Sequence, residues 1–136
     1  MDKDELNRFF YIIFKRIESK KKSLEPMKNF RHTGIEAWFK VEIIKALTDE
    51  GYKNLKLQNR GPDLIVNDVK IELKGMTDFN NHVVYKDANK GGADYCLFLV
   101  KYDKNKLDWL LLKNDIKKID TALVDNYWLI GIIKKN

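Results

Sequence analysis

The stretch Asp63-Leu-Ile-Val-Asn-Asp-Val-Lys-Ile-Glu-Leu-Lys74 decides how this chain is read. Two short apolar-rich runs, Asp63 to Val66 and Val69 to Lys74, flank Asn67-Asp68. Both flanked residues tolerate the positive φ that a two-residue hairpin turn needs. With that turn the register follows: Val66 opposes Val69, Ile65 opposes Lys70, Leu64 opposes Ile71, and Asp63 opposes Glu72. Directly opposed residues share a face, with Cβ atoms about 4.5–5.5 Å apart. Lys74 lies two residues beyond Glu72 and shares that face. The other face carries Leu64, Val66, Val69, Ile71 and Leu73, all apolar. Spacing alone therefore gathers two carboxylates and an ammonium. Opposed like charges are destabilising unless something positive sits between them. Lys74 supplies part of that charge, and a divalent cation would supply more, a carboxylate pair being a common protein share of a magnesium site. The plainer alternative is an exposed hairpin ion pair of little consequence. A turn one residue longer or shorter would put the two acids on opposite faces.

Working outward, Leu6, Phe9, Phe10, Ile13, Phe14 and Ile17 recur at helical spacing, which predicts an amphipathic helix over about residues 3–20. Lys20-Lys-Lys22 and Pro26 close it, and a basic connector runs on to His32. A second helix is predicted from about Gly34 to Glu50, with Thr33 and Glu36 at capping-box spacing and Gly51 as its stop. Its apolar stripe is Ile35, Trp38, Phe39, Ile43, Ala46 and Leu47. Residues Asn54 to Gln58 alternate with period two and read as a strand. After the hairpin a loop and helix are expected over about residues 78–90, then a buried strand from Tyr95 to Tyr102. The remainder reads as a turn at Asp103 to Lys106, a strand at Leu107 to Leu112, a short helix near Asp115 to Val124, and a last strand from Tyr127 to Ile133. This order predicts an α/β fold, helices flanking a central mixed β-sheet, with an extra N-terminal amphipathic helix. Trp38, Trp109 and Trp128 sit in apolar runs and read as core residues rather than base-stacking platforms.

A chain of 136 residues suits one domain. Hydrophobic residues are 44% and charged residues 34%, which fits neither disorder nor a membrane bundle. The longest apolar run, Tyr127 to Ile133, falls far short of the roughly 20 residues a spanning helix needs. No secretory signal is visible, because Asp2, Asp4 and Glu5 precede the first apolar stretch. The single cysteine, Cys96, excludes a disulfide framework and reads as a small buried residue, so a reducing cytoplasm is expected. His32 and His82 lie far apart with no cysteine partner, against a structural zinc site. Net charge is +6, unevenly spread: residues 1–34 carry nine Lys/Arg against five Asp/Glu, residues 35–75 seven of each, and residues 76–136 ten against eight. A neutral middle between basic flanks suggests an anionic partner held by the flanks, or solubility alone.

Pro62-Asp63, the nine-residue step from Asp63 to Glu72, and Glu72-Leu73-Lys74 resemble the PD-(D/E)XK signature of the restriction-endonuclease-like nucleases. The predicted order of helix, strand, acid-bearing hairpin, helix and strand is similar to that family's core, over residues 33–102. Within the group, Gly34-Ile-Glu36, Gly51-Tyr52, Gly61-Pro-Asp63 and Ile71-Glu-Leu-Lys74 look most like archaeal-type Holliday junction resolvases. The chain departs from them in its added helix over residues 1–32 and its longer C-terminal segment over residues 103–136, which puts a junction substrate in doubt.

The resemblance implies a metal-dependent DNA endonuclease using Mg²⁺, with Mn²⁺ as substitute. Asp63, Glu72 and the backbone carbonyl of Leu73 would hold the metal, and Lys74 would orient the attacking water and stabilise charge in the transition state. Lysine suits that place as a compact cation whose pKa can fall there. Glu36 matches a helix glutamate that often reaches the metal through water; the capping box explains it equally well, and Glu42 is the fallback. Gln58, Asn59, Arg60 and Lys70 are candidate nucleic-acid contacts, as are Lys86 and Lys90 on the predicted helix after the motif. One active site per chain favours a homodimer for cutting both strands of a duplex or junction. The stripe of Phe9, Phe10, Phe14 and Ile17 is a candidate dimer element, unless it packs over its own sheet. Two other functions fit: a catalytically silent protein of this fold that binds nucleic acid or braces a complex, and a general α/β interaction module without metal.

Overall fold

The computed structural model describes residues 1–29, 34–58, 61–89 and 92–136. A six-stranded mixed sheet runs in the order β1 (Leu55–Leu57), β2 (Leu64–Val66), β3 (Val69–Gly75), β4 (Tyr95–Lys101), β6 (Trp128–Lys135), β5 (Ile116–Val124). Only β3 and β4 are parallel neighbours, and the helix between them, α4 (Asn81–Ala88), makes the crossover that a parallel pair requires. The other helices among the described residues are α1 (Lys3–Ser19), the short α2 (Lys21–Leu24), α3 (Ile35–Asp49) and α5 (Lys104–Leu111), with a 3₁₀ turn at Glu25–Asn29. The fold is α/β, a central mixed sheet flanked by helices.

Two apolar clusters hold the layers together. Leu6, Phe9, Phe10, Ile13 and Ile17 of α1 and Ile35, Phe39, Ile43 and Leu47 of α3 cover one face, over Leu64, Val66, Ile71, Leu73, Leu97 and Leu99. Phe79, Val84, Ala88 and Leu110 cover the other, over Cys96, Phe98, Val100, Leu129 and Ile133. Strand β4 feeds both clusters, which is why Cys-Leu-Phe-Leu-Val is apolar without alternation. The stripe of α1 is used up inside this chain: Phe9, Phe10 and Ile17 are buried and Phe14 half-buried against the core, so the stripe is no free dimer surface. Asp2 starts α1 by accepting a hydrogen bond from the Glu5 N–H at 2.8 Å. Burial pushes the Cys96 thiol far up, so it stays protonated and unreactive. No helix among the described residues is long and apolar enough to cross a membrane.

The segment after β4 reverses the sequence reading. Leu107 to Leu112, expected as a strand, lies largely in α5, and residues 115–124, expected as a short helix, form β5. Asp103 accepts from the Lys106 N–H at 3.2 Å and caps a helix whose Lys104 and Asp108 pair one turn apart. The overlooked signal for β5 is Asp125-Asn126: both take positive φ, 56° and 51°, the same turn chemistry as Asn67-Asp68. That turn folds Ile116–Val124 back along β6, and the ladder overrides the weak helical pattern.

Gly131 faces Phe98 across β4 and β6, and the Phe98 ring occupies the space where a Cβ would stand. Gly131→Ala is expected to cost about 1–3 kcal/mol through overpacking. Chemical denaturation would show a lower midpoint at unchanged slope, and an unshifted midpoint would contradict this packing.

Candidate active site

The hairpin adopts the expected register. Asn67 and Asp68 have φ of 49° and 67°, and Val66 pairs with Val69, Ile65 with Lys70, and Leu64 with Ile71. Asp63 therefore precedes β2 opposite Glu72, and its carbonyl accepts from the Gln58 N–H at 3.0 Å. Glu72 and Lys74 are carried on the α4 side of the sheet, beside Cys96 and Phe98 of β4.

Six further contacts assemble a charged cluster around these residues. Asp63 Oδ2 accepts from the Leu73 N–H at 2.9 Å, and Oδ1 accepts from Lys40 Nζ at 3.1 Å. Glu36 Oε1 accepts from the Gly75 N–H at 3.1 Å and lies 3.5 Å from Lys74 Nζ. Lys74 Nζ also pairs with Asp87 Oδ2 at 2.9 Å. Lys40 bridges Asp63 to Glu36, whose Oε2 is 3.7 Å away. Glu36 reaches the hairpin because Gly75 has no side chain: a Cβ there would stand 2.8 Å from the Glu36 Cα, so the first turn of α3 rests on the end of β3.

Burial pulls the Asp63 carboxyl up, but hydrogen bonding with Glu72, the Leu73 N–H and Lys40 outweighs it and holds the group below its ordinary value. Burial pulls Lys74 down, yet Asp87 and Glu36 outweigh that and raise it. This corrects the expectation that the Lys74 pKa falls: the lysine sits between two carboxylates, so it stays a charged ammonium.

Glu36 belongs to the cluster and Glu42 does not. Glu42 is buried, 5% exposed, and accepts from Arg16 Nε and Nη2 at 3.2 Å each, which ties α3 to α1. Glu36 Oε1 is engaged by the Gly75 N–H, and Thr33, the other residue of the capping-box reading, lies outside the described residues. So do Asn59, Arg60 and Lys90. Gln58, Lys70 and Lys86 are exposed around the hairpin and on α4. Of the tryptophans, Trp128 is core, whereas Trp38 and Trp109 are only half-buried, and Trp109 lies between His82 and Lys113.

Lys40 and Asp87 are the site residues that the sequence reading missed. Lys40 follows Glu36 by one helical turn, a spacing that puts both on one face. Val84, Asp87 and Ala88 share the buried side of α4, so an acid at 87 was readable as one with a partner inside.

Among the described residues, no three His, Cys, Asp or Glu side chains form a group that could hold a metal ion. The carboxyl donors nearest one another are those of Asp63 and Glu72, Asp63 being engaged by Leu73 and Lys40 and Glu36 by Gly75 and Lys74. Neighbouring carboxylates are eased by positive charge close by, part of which Lys40 supplies to Asp63 at 3.1 Å. These are hard oxygen donors and fit Mg²⁺, which commonly takes one or two carboxylates and keeps its waters. No family model matches this chain, and no curated protein or solved structure does.

Proposed function

We propose that the protein is a metal-dependent DNA endonuclease with a restriction-endonuclease-like core, and that the hairpin cluster is its active site. The observation that carries this reading is the convergence of Asp63, Glu72 and Lys74 on one face of the hairpin, with Glu36 brought to them by α3. Asp63 and Glu72 would hold Mg²⁺ or Mn²⁺ with the Leu73 carbonyl, and Glu36 through water. Bound there, the ion would lower the pKa of a water and polarise the phosphate.

The chain's own groups do the rest. Water adds to phosphorus, one P–O ester bond breaks, and the leaving oxygen takes a proton, so one phosphate end and one hydroxyl end result. Lys74 donates hydrogen bonds to the attacking water and to the oxygens on which charge builds. Asp87 holds the lysine from behind at 2.9 Å. The net charge of +6 favours DNA as partner. With one such cluster per chain, cutting both strands calls for two copies, and a homodimer is part of the proposal.

A second reading, a silent protein of this fold that binds nucleic acid, is favoured by one observation. Lys40 and Lys74 already neutralise Asp63 and Glu36, and no three-acid group is assembled among the described residues. Labelled four-way junction, flap, duplex and single-stranded DNA, each with Mg²⁺, Mn²⁺ or EDTA, separate the two. Cutting that needs metal and vanishes in Asp63→Asn is the expected result. Binding without cutting on every substrate would transfer the assignment to the silent reading, and cutting by Asp63→Asn would remove this cluster from the chemistry.

A further inference from the structure

A second charged site lies at the other end of the sheet. Lys117 of β5 and Lys134 of β6 are directly opposed. Opposed like charges cost stability, and here no carboxylate among the described residues lies within ion-pair distance of either. The ladder shifts register between Lys118 and Asp120, and such a bulge re-aims neighbouring side chains. Lys118, next to this shift, lines the same cavity as Lys117. Lys3, from the first turn of α1, is the fourth lysine lining this cavity of about 470 Å³. Its apolar lining includes Leu6 and the half-buried Tyr95 ring, with Lys134 Nζ 5.9 Å from the ring centroid. The one acid lining it, Asp2, is occupied in capping α1.

We propose that this cavity binds the phosphate and base of a nucleotide, either free or as part of a strand. Four lysines against the single Asp2 carboxylate suit a multiply charged anion, and ammoniums bind phosphate as point charges. The volume falls within the roughly 300–1,000 Å³ of small-ligand pockets. The half-buried Tyr95 ring offers an apolar surface that an inorganic anion has no use for and a base does. The site is separate from the hairpin cluster. Tyr95 pairs with Ile71 and packs with the α1 side of the sheet, whereas Glu72 and Lys74 pair with Cys96 and Phe98, which pack with α4. The inference therefore does not depend on the chain cutting DNA.

The test is binding in EDTA, where no metal-dependent cutting can intervene, with ATP and a fluorescein-labelled 12-nucleotide single strand as probes. Saturable binding of at least one probe is expected, weakened about tenfold or more in Lys117→Ala/Lys134→Ala. The salt dependence of strand binding should fall by about one unit of slope per lost phosphate contact. A charge-matched control on α5, Lys104→Ala/Lys106→Ala, should change affinity less than about twofold. The cavity variant should melt at or above the temperature of the wild type, because it relieves the repulsion between the opposed lysines. Displacement of the strand by ATP would identify a free-nucleotide site, and a strand that ATP does not displace would identify a strand-binding one. Absence of saturable binding for both probes, or equal weakening in the cavity and control variants, overturns the proposal.

Discussion

Lys74→Ala is expected to slow DNA cleavage about a thousandfold or more, which corresponds to about 4 kcal/mol of lost transition-state stabilisation. The lysine is held within the cluster by two carboxylates, Asp87 at 2.9 Å and Glu36 at 3.5 Å, so its position is set before substrate arrives. A charge fixed in place costs no reorganisation in the transition state, and that is where its effect is largest. Lys74→Arg is not a rescue, because a planar guanidinium cannot reproduce a compact ammonium in the same space. Asp87→Asn provides the graded comparison. It removes the closer of the two supports while leaving Lys74 in place, and a loss of about 10–100-fold is expected. Single-turnover rates with saturating DNA would read both effects on the chemical step. Equal rates for wild type and Lys74→Ala, at equal DNA binding, would dismiss the lysine from the reaction.

Arg16→Ala is expected to destabilise the fold by about 3 kcal/mol, the lower end of what breaking a buried ion pair costs, since the Arg16 side chain keeps 22% of its exposure. The substitution leaves the Glu42 carboxylate, 5% exposed, between α1 and α3 without its guanidinium. For a chain of this size the melting temperature should fall by about 10 °C. Glu42→Gln should cost less, because a neutral amide can still accept from Arg16. The double change Arg16→Met/Glu42→Leu should recover most of the loss, because no charge is then left buried and the methylenes still pack. Thermal unfolding of the wild type and the three variants reads these differences. If Arg16→Ala melted with the wild type, the pair would be a surface contact in all but name.

The acid pair was legible because its geometry is local. A two-residue turn sets the register of everything that follows, and period-two alternation then assigns each side chain to a face. The same logic applied to Asp125-Asn126 would have found β5; the turn went unread because the strand before it mixes Lys117, Lys118 and Asp120 with apolar residues and does not alternate cleanly across its bulge. Helix α5 was missed for the opposite reason, since Leu107, Leu110, Leu111 and Leu112 are as apolar as a buried strand and only the Asp103 cap distinguishes them. Amphipathic α1 was legible as a helix, but a stripe of phenylalanines does not say whether it covers its own sheet or a second copy.

By itself, then, the sequence determined the hairpin, its register, the shared face of Asp63, Glu72 and Lys74, and the helices whose apolar stripes repeat every turn. These follow from interactions between residues close along the chain. The tertiary structure alone decided that Glu36 meets Gly75, 39 residues away, that Lys40 meets Asp63, 23 residues away, and that Asp87 rather than Lys86 faces Lys74. It also decided that Glu42 serves the α1–α3 interface. Contacts of that kind depend on how layers pack and how far a helix advances over a strand end. A missing Cβ at Gly75 sets that closeness here, and no spacing within either segment encodes it.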